Sequence, residues 1–302
     1  MNESIKAHLA LISVAIIYGL NYTIAKDVMV KGYMTPFGFI MLRTIAGLVL
    51  FTLFHALFVR EKMKNKDIAY AALCSVFGVA LNMLAFFEGL KHTSPIHGSL
   101  FMVLCPILIL LISAVIIKEK ITTRKVVGIL IGLIGAIILI IHSSISNDKV
   151  ASLYGDVLIM INAASYAFYL VLVRKLIKKY HIITVIKWIF IFGTILVIPF
   201  GGQELASTNW SSFTPSIWMA VGYVLLFTTF VAYLLNGYAL TKVMPSTVGF
   251  YIYFQPLIAA TFAIICGQDH LDILKIVSAI FLFYGVFLIN KPGAIRARID
   301  QN

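Results

Sequence analysis

Long apolar stretches alternate with short polar segments along nearly the whole chain. An α-helix needs roughly 20 apolar residues to cross the core of a bilayer. The apolar runs are continuous, whereas a membrane-spanning strand would alternate apolar with polar positions. We therefore predict an all-α integral membrane protein with ten transmembrane helices. They are expected near residues 8–30, 37–59, 68–90, 95–117, 124–142, 153–173, 183–200, 215–240, 245–267 and 271–290.

The pattern occurs twice in the chain. Pro95 and Pro106 recur as Pro245 and Pro256, a shift of 150 positions. The same shift superimposes Glu119 on Asp269, Lys125 on Lys275, Val127 on Val277 and Gly135 on Gly285. An internal repeat in an apolar chain is typical of transporters. We predict two five-helix repeats, covering residues 1–147 and 148–302.

The distribution of Lys and Arg predicts the orientation of the helices. If both termini are cytoplasmic, seventeen cationic residues face inward and five face outward, as the positive-inside rule expects. Because each repeat has an odd number of helices, the second must enter the membrane inverted. The segment Lys118–Lys125 carries four cations, whereas its copy at 268–275 carries one. Loss of cations from the copy is what an inverted repeat predicts.

Composition narrows the possible functions. Hydrophobic residues make up 61% of the chain and charged residues 12%, which leaves little room for a soluble domain. The net charge of +12 lies in short loops, a pattern that favours membrane orientation over nucleic-acid binding. The three cysteines show no metal-ligand spacing. Phosphate-loop, HExxH and GxSxG motifs do not occur. We expect no cofactor, no metal site, no nucleic-acid partner and no enzymatic activity.

The chain resembles the drug/metabolite transporter superfamily, specifically its members with two EamA-type repeats. The resemblance implies a ten-helix carrier with a central cavity built from helices 1, 3, 4, 6, 8 and 9, with helices 5 and 10 packing the halves together. It also implies a bacterial inner-membrane location. Departures from the family pattern are Tyr18 in place of tryptophan, Asp269 in place of Glu, and Ser278 opposite Gly128. The resemblance rests on Tyr18–Tyr22, Lys26, Arg43, Gly89–Pro95, Cys105, Pro106, Lys118–Lys120, Gly128, Gly132, Gly135, Gly237–Leu240, Gln255, Pro256, Gly267–Asp269 and Gly285.

Polar and aromatic side chains inside the predicted spans are candidates for substrate binding. A polar group left unsatisfied in hydrocarbon is costly, so such groups should face a cavity or bond to another helix. Both roles stay open for this set. The candidates are Tyr18, Asn21, Tyr22, Asn82, Phe86, Ser99, Met102, Tyr166, Tyr169, Tyr233, Asn236, Tyr251 and Gln255.

Other residues are predicted to act in gating or structure. Arg43 and Glu88 are charged residues within the spans; they could form an ion pair, or Arg43 could reach the membrane interface. Pro106 and Pro256 are expected to bend helices 4 and 9. Glu119 and Asp269 stand where a carboxylate can cap the next helix. The glycines of helix 5 should allow close packing between the halves.

Together these patterns predict a secondary transporter that works by alternating access. An aromatic and amide-rich cavity suits small metabolites such as amino acids, and the family resemblance favours export. The expected partners are a small-molecule substrate, membrane lipid and a coupling proton or ion, with His97 the histidine placed for proton coupling. The sequence does not specify an oligomeric state. The alternative function is an intramembrane enzyme or a membrane assembly protein that transports nothing.

Overall fold

The fold is built from helices. The computed structural model describes residues 3–92, 102, 104–142, 153–265 and 273–290, and every regular element in these ranges is helical. Helices satisfy their own backbone groups, as a segment surrounded by lipid must. The first half contains α1 (Glu3–Val30), α2 (Pro36–Phe54), α3 (Asn65–Ser75), α4 (Leu81–His92), α5 (Cys105–Ile116) and α6 (Thr123–His142). The second half contains α7 (Leu153–Ile177), α8 (Ile182–Ala206), α9 (Pro215–Tyr223), α10 (Ala232–Lys242), α11 (Pro245–Phe250), α12 (Phe254–Ile265) and α13 (Ile273–Asn290).

Short turns of other helix types join several of these helices into longer rods. A π-helical turn extends α2, a second joins α3 to α4, and a third joins α9 to α10. A 3-10 turn joins α11 to α12. The π turns are His55–Val59, Val76–Ala80 and Val224–Val231, and the 3-10 turn is Tyr251–Tyr253.

Six described segments are long and apolar enough to cross a membrane, and two further apolar helices are shorter. They confirm the predicted all-helical membrane fold. The predicted span at 183–200 is among the six and continues to Ala206, whereas the predicted span at 95–117 lies partly outside the described residues. The count of ten stays a prediction. The six are Glu3–Asn21, Pro36–Val59, Asn65–Gly89, Leu153–Ile177, Ile182–Ala206 and Pro215–Lys242, and the shorter helices are Cys105–Ile116 and Ile276–Ile289.

Helices α6 and α13 pack closely through small residues. A Cβ atom on Gly128 would lie 2.9 Å from the carbonyl oxygen of Gly285, and one on Gly285 would lie 2.7 Å from the carbonyl oxygen of Gly128. A Cβ on Gly135 would lie 3.0 Å from the carbonyl oxygen of Ser278. Only glycine permits such an approach between two backbones. The predicted contact between helices 5 and 10 is therefore confirmed, together with the role of the glycines in it.

Two of the π turns occupy matching positions in the repeat, since residues 76–80 shifted by 150 fall within Val224–Val231. A π turn displaces backbone hydrogen bonds and leaves carbonyl groups open. In the first turn, Ser165 Oγ donates to the carbonyl of Phe77 (2.7 Å), and the Tyr233 hydroxyl donates to that of Gly78 (3.0 Å). Both donors belong to the other half of the chain.

The second π turn is satisfied partly from within. Thr229 Oγ1 donates to the carbonyl of Val224 (3.0 Å) and accepts a hydrogen bond from Arg43 Nε (3.2 Å). Thr228, the preceding residue, donates to Asn21 Oδ1 (3.1 Å). Arg43 and Asn21 both come from the first half, so each of these turns binds side chains of the opposite half.

The segment before α6 carries a buried carboxylate. Glu119 is 4% exposed, accepts a hydrogen bond from Lys125 Nζ at 2.5 Å, and accepts another from Ser246 Oγ. The prediction that Glu119 caps the next helix is wrong, because the side chain of Thr122 accepts from the backbone N–H of Lys125 instead (3.3 Å). Glu119 joins α6 to α11. Its counterpart Asp269 lies outside the described residues.

We expect Lys125→Ala to lower the free energy of unfolding by about 1.5 kcal/mol. The variant loses a hydrogen bond to a buried, charged acceptor, while the retained bond from Ser246 limits the effect. The thermal midpoint of detergent-purified protein measures the change. Lys120→Ala removes an exposed cation from the same loop and is the matched control. A Lys125→Ala midpoint equal to that of Lys120→Ala would mean that the pair contributes nothing.

Candidate functional site

A small cavity, with room for about one water molecule, lies among helices of both halves. Helix α1 comes from the first half, whereas α7, α10, α11, α12 and the 3-10 turn come from the second. The wall combines aliphatic side chains with three tyrosines and two amides, and none of the lining residues is charged. The lining residues are Leu11, Val14, Ala15, Tyr18, Tyr166, Asn236, Val248, Tyr251, Ile252 and Gln255.

All five polar lining residues belong to the set predicted from the sequence. Tyr18 is on α1, Tyr166 on α7, Asn236 on α10, Tyr251 in the 3-10 turn and Gln255 on α12. Tyr18 lies on the first helix of the first half, and Tyr166 lies on the first helix of the second half. The Tyr18 hydroxyl lies beside the Asn236 amide. The structure therefore brings these five side chains to one cavity.

The break between α11 and α12 shapes this cavity. Pro256 has no backbone N–H to donate to the carbonyl of Ile252, so regular α-helix cannot run through this point. The chain instead makes the 3-10 turn that holds Tyr251 and Ile252, and α12 begins at Phe254. Pro106 likewise stands at the start of α5. Both duplicated prolines lie in the first turn of a helix, so they mark an interruption and not only the predicted bend.

Helix α1 lies directly against α12 at the level of the cavity. A Cβ atom on Gly19 would meet the Ile258 side chain at 2.8 Å and the carbonyl oxygen of Gln255 at 3.2 Å. The absence of a side chain at Gly19 therefore lets α1 approach the backbone of α12. This contact holds Tyr18 and Gln255 on adjacent walls.

Sequence reasoning missed His8. Its Nδ1 atom lies 2.9 Å from the Tyr251 hydroxyl, in the N-terminal part of α1. His8 precedes Leu11 by three residues and Ala15 by seven, so all three lie on one face of α1. That helical spacing was the available signal. The hydrogen bond fixes the orientation of one of the lining tyrosines.

Asn82 has a partner outside the cavity. Its Nδ2 donates to the carbonyl of Asn162 (3.3 Å), and Asn162 Nδ2 donates to the carbonyl of Asn82 (2.7 Å). This reciprocal pair joins α4 to α7. Asn82 is absent from the cavity wall. The arrangement corresponds to the helix-joining role left open for the asparagines.

Arg43 and Glu88 do not form the ion pair considered from the sequence. Arg43 donates to Thr229, as described above, and Glu88 Oε1 lies 3.1 Å from His92 Nε2. Arg43 is also 7% exposed, so its side chain is buried within the protein. Its partner Thr229 follows Thr228, which donates to Asn21 on helix α1.

The remaining predicted residues surround the cavity or lie beyond the described part of the chain. The rings of Tyr166, Tyr169 and Tyr233 form a row with centroid separations of 6.2 and 6.3 Å. Phe86 packs edge-on against Phe87. Asn21 contacts Thr228, and Met102 packs against the core. Ser99 and His97 lie outside the described residues, as do the side chains of Tyr22 and Pro256.

Metal binding gains no support from the described residues. No group of three His, Cys, Asp or Glu side chains within them is arranged to hold a metal ion. The lining groups are uncharged. Tyrosine hydroxyls and amides can donate and accept hydrogen bonds, while aromatic faces contact apolar groups. The lining therefore combines groups suited to the polar and to the apolar parts of a small solute.

Comparison with known proteins bears on this arrangement. The model of the EamA-like transporter family matches residues 5–141 and matches again at residues 153–291. The chain belongs to the EamA-like transporter family. The duplicated prolines are thus part of two copies of the EamA unit, and the cavity draws on both copies.

Relatives of this EamA-family chain are also transporters by name. The Bacillus subtilis protein YyaM, an uncharacterized transporter, is 23% identical over 97% of this chain and 96% of its own length. An uncharacterized transporter of Archaeoglobus fulgidus is 26% identical over 75% of this chain and 78% of its own length. A crystal structure that is 16% identical superimposes with a TM-score of 0.75 over 94% of this chain and 96% of its own, which shows the same fold. The chain is an integral membrane transporter.

Proposed function

We propose that this EamA-family protein is a secondary carrier that moves small metabolites, amino acids among them, across the bacterial inner membrane by alternating access. The observation that carries the proposal is the uncharged, aromatic and amide-lined cavity shared by the two repeats. Tyrosine rings can contact an apolar side chain while amides bind polar groups. Sites between repeats are a recurrent plan in secondary transporters.

Support for an inverted repeat comes from which helices pack together. Helix α1 packs against α10 and α12, and its counterpart α7 packs against α4 and α5. Helix α2 packs against the second π turn, and its counterpart α8 packs against α3 and the first π turn. The pairs α2–α8, α5–α11 and α6–α13 are their own counterparts. Apart from the α3–α8 contact, exchange of the halves leaves this pattern unchanged, as expected for two five-helix repeats related by a two-fold axis. The loop charges favour an axis in the membrane plane, with both termini cytoplasmic.

Contacts at the predicted cytoplasmic ends of the helices are candidates for an inner gate. Glu3 accepts a hydrogen bond from Tyr238 (3.2 Å) and pairs with Lys242 (3.1 Å), which joins α1 to α10. Glu119 joins α6 to α11. In alternating access such contacts must break when the cavity opens inward. For export, the solute would enter the cavity from this cytoplasmic side.

Reconstitution into liposomes tests the proposal. The probes are labelled L-amino acids, supplied singly, with and without an imposed proton gradient. We expect saturable flux of at least one of them, with efflux from the face that carries the N-terminus. Protein-free liposomes measure leakage. Absence of saturable flux for every amino acid under both conditions would contradict the proposal.

A further inference from the structure

Arg43 is a buried cation without a counterion among the described residues. Its side chain is 7% exposed, and its only hydrogen bond to a described residue runs from Nε to the neutral Thr229. The six carboxylates whose side chains the structure describes have other partners. These are Glu3 with Lys6 and Lys242, Glu61 with the backbone of His181, Asp67 with Lys179, Glu88 with His92, Glu119 with Lys125, and Glu204 with the backbone of Gly38.

An unpaired guanidinium in this position is energetically unfavourable. A charged group taken out of water loses several kcal/mol of solvation unless an opposite charge and hydrogen bonds replace it. The two terminal nitrogens of Arg43 donate to no described residue, yet neither is among the fully enclosed polar atoms that lack a partner. They therefore open onto accessible space. An arginine retained there without a protein anion is suited to an anion that arrives from outside the chain.

The groups around Arg43 connect it to the cavity. Its guanidinium lies near the hydroxyls of Tyr18 and Tyr233. Tyr18 also lines the cavity, beside Asn236. Thr229 holds the Nε edge of the guanidinium, which leaves the other edge for a ligand. Tyr18 thus belongs both to the cavity wall and to the surroundings of Arg43.

We propose that Arg43 binds the carboxylate of the transported solute, an inference that rests on the proposed carrier function. A guanidinium presents paired N–H groups that match the two oxygens of a carboxylate. The cavity wall supplies no second cation, so a single negative charge fits better than a phosphate with two. The substrate class is therefore small monocarboxylates, including amino acids, whose uncharged part contacts the tyrosines and amides.

Thermal stabilisation of the detergent-purified chain tests this inference. The probes are L-leucine, L-phenylalanine, L-threonine, propionate and benzoate, each compared with its carboxamide. We expect at least one acid to raise the thermal midpoint at a concentration about tenfold below that at which its amide does, the factor that one charge-assisted hydrogen bond supplies. Equal effects of acid and amide, or no stabilisation by any of the five acids, would overturn the inference.

Variants locate the effect at Arg43. Arg43→Gln should weaken the acid effect at least about tenfold, and Arg43→Lys should retain part of it. Arg60→Gln removes an exposed arginine from a loop and is the matched control. Thr229→Asp should raise the midpoint without ligand and abolish the acid effect, because it supplies an internal counterion. Acid stabilisation that survives both Arg43→Gln and Thr229→Asp would exclude Arg43 as the binding group.

Liposome flux separates failure of the inference from failure of the carrier function. Saturable flux of a carboxylate solute that is equal in Arg43→Gln and parental liposomes would leave the carrier function intact and refute carboxylate binding. Carboxylate stabilisation that depends on Arg43, without flux of any solute, would refute the carrier function and leave the binding site intact.

Discussion

Gln255→Ala is expected to reduce saturable flux at low solute concentration by at least about tenfold. Gln255 lines the cavity and stands next to Pro256, at the start of the helix that follows the 3-10 turn. Removing its amide takes away both a donor and an acceptor from an enclosed site, and about 1.4 kcal/mol of lost binding energy corresponds to a tenfold change. Initial rates in liposomes over a range of solute concentrations measure the effect.

Gln203→Ala is the matched control for this variant. Gln203 is an exposed glutamine near the end of α8, away from the cavity wall. It should transport at the parental rate. Equal rates for Gln255→Ala and the parent would remove Gln255 from the binding site, provided that both proteins reconstitute to the same density.

Gly285→Leu is expected to lower the free energy of unfolding by about 3 kcal/mol or more. The first atom of the new side chain would lie 2.7 Å from the carbonyl oxygen of Gly128 and 2.8 Å from the Phe250 ring. Overpacking usually costs about 1–3 kcal/mol, and here the obstacle is backbone, which cannot rotate away. Separation of α6 from α13 would follow. The thermal midpoint and the fraction of monodisperse protein in detergent measure the loss.

Gly222→Leu provides the comparison. Gly222 is exposed on α9, and a Cβ atom there would meet nothing within 4 Å. Its midpoint should stay close to that of the parent. If the two leucine variants proved equally stable, the close contact between α6 and α13 would not contribute to stability.

The sequence was most informative about the membrane fold and about the residues at the cavity. The all-helical fold followed from continuous apolar runs, and helix packing at Gly128 and Gly135 followed from the glycines of helix 5. Tyr18 and Tyr166 were among the candidates because polar side chains within membrane spans need a cavity or a bonding partner. These predictions succeeded because lipid constrains the backbone strongly and because a repeat supplies two samples of one pattern.

Other features depend on atomic contacts that a linear pattern does not encode. The partners of Asn82 and Asn162 are each other's carbonyls, and either residue could equally have faced a solute. Glu119 and Thr122 lie three positions apart, and both residue types can cap a helix, so their positions alone do not show which one does. His8 is the first residue of the predicted span at 8–30, where a polar residue is expected at the membrane interface.

The π turn at Val76–Ala80 has a consequence for biogenesis. When the first repeat leaves the insertion machinery, Ser165 and Tyr233 have not yet entered the membrane, so the carbonyls of Phe77 and Gly78 lack the donors that they have in the finished protein. An open carbonyl in hydrocarbon is unfavourable. The newly inserted first repeat must therefore keep these two carbonyl groups in another helical register, or near water, until the second repeat has inserted. Maturation would then include a late rearrangement of α3 and α4, after synthesis has passed residue 233.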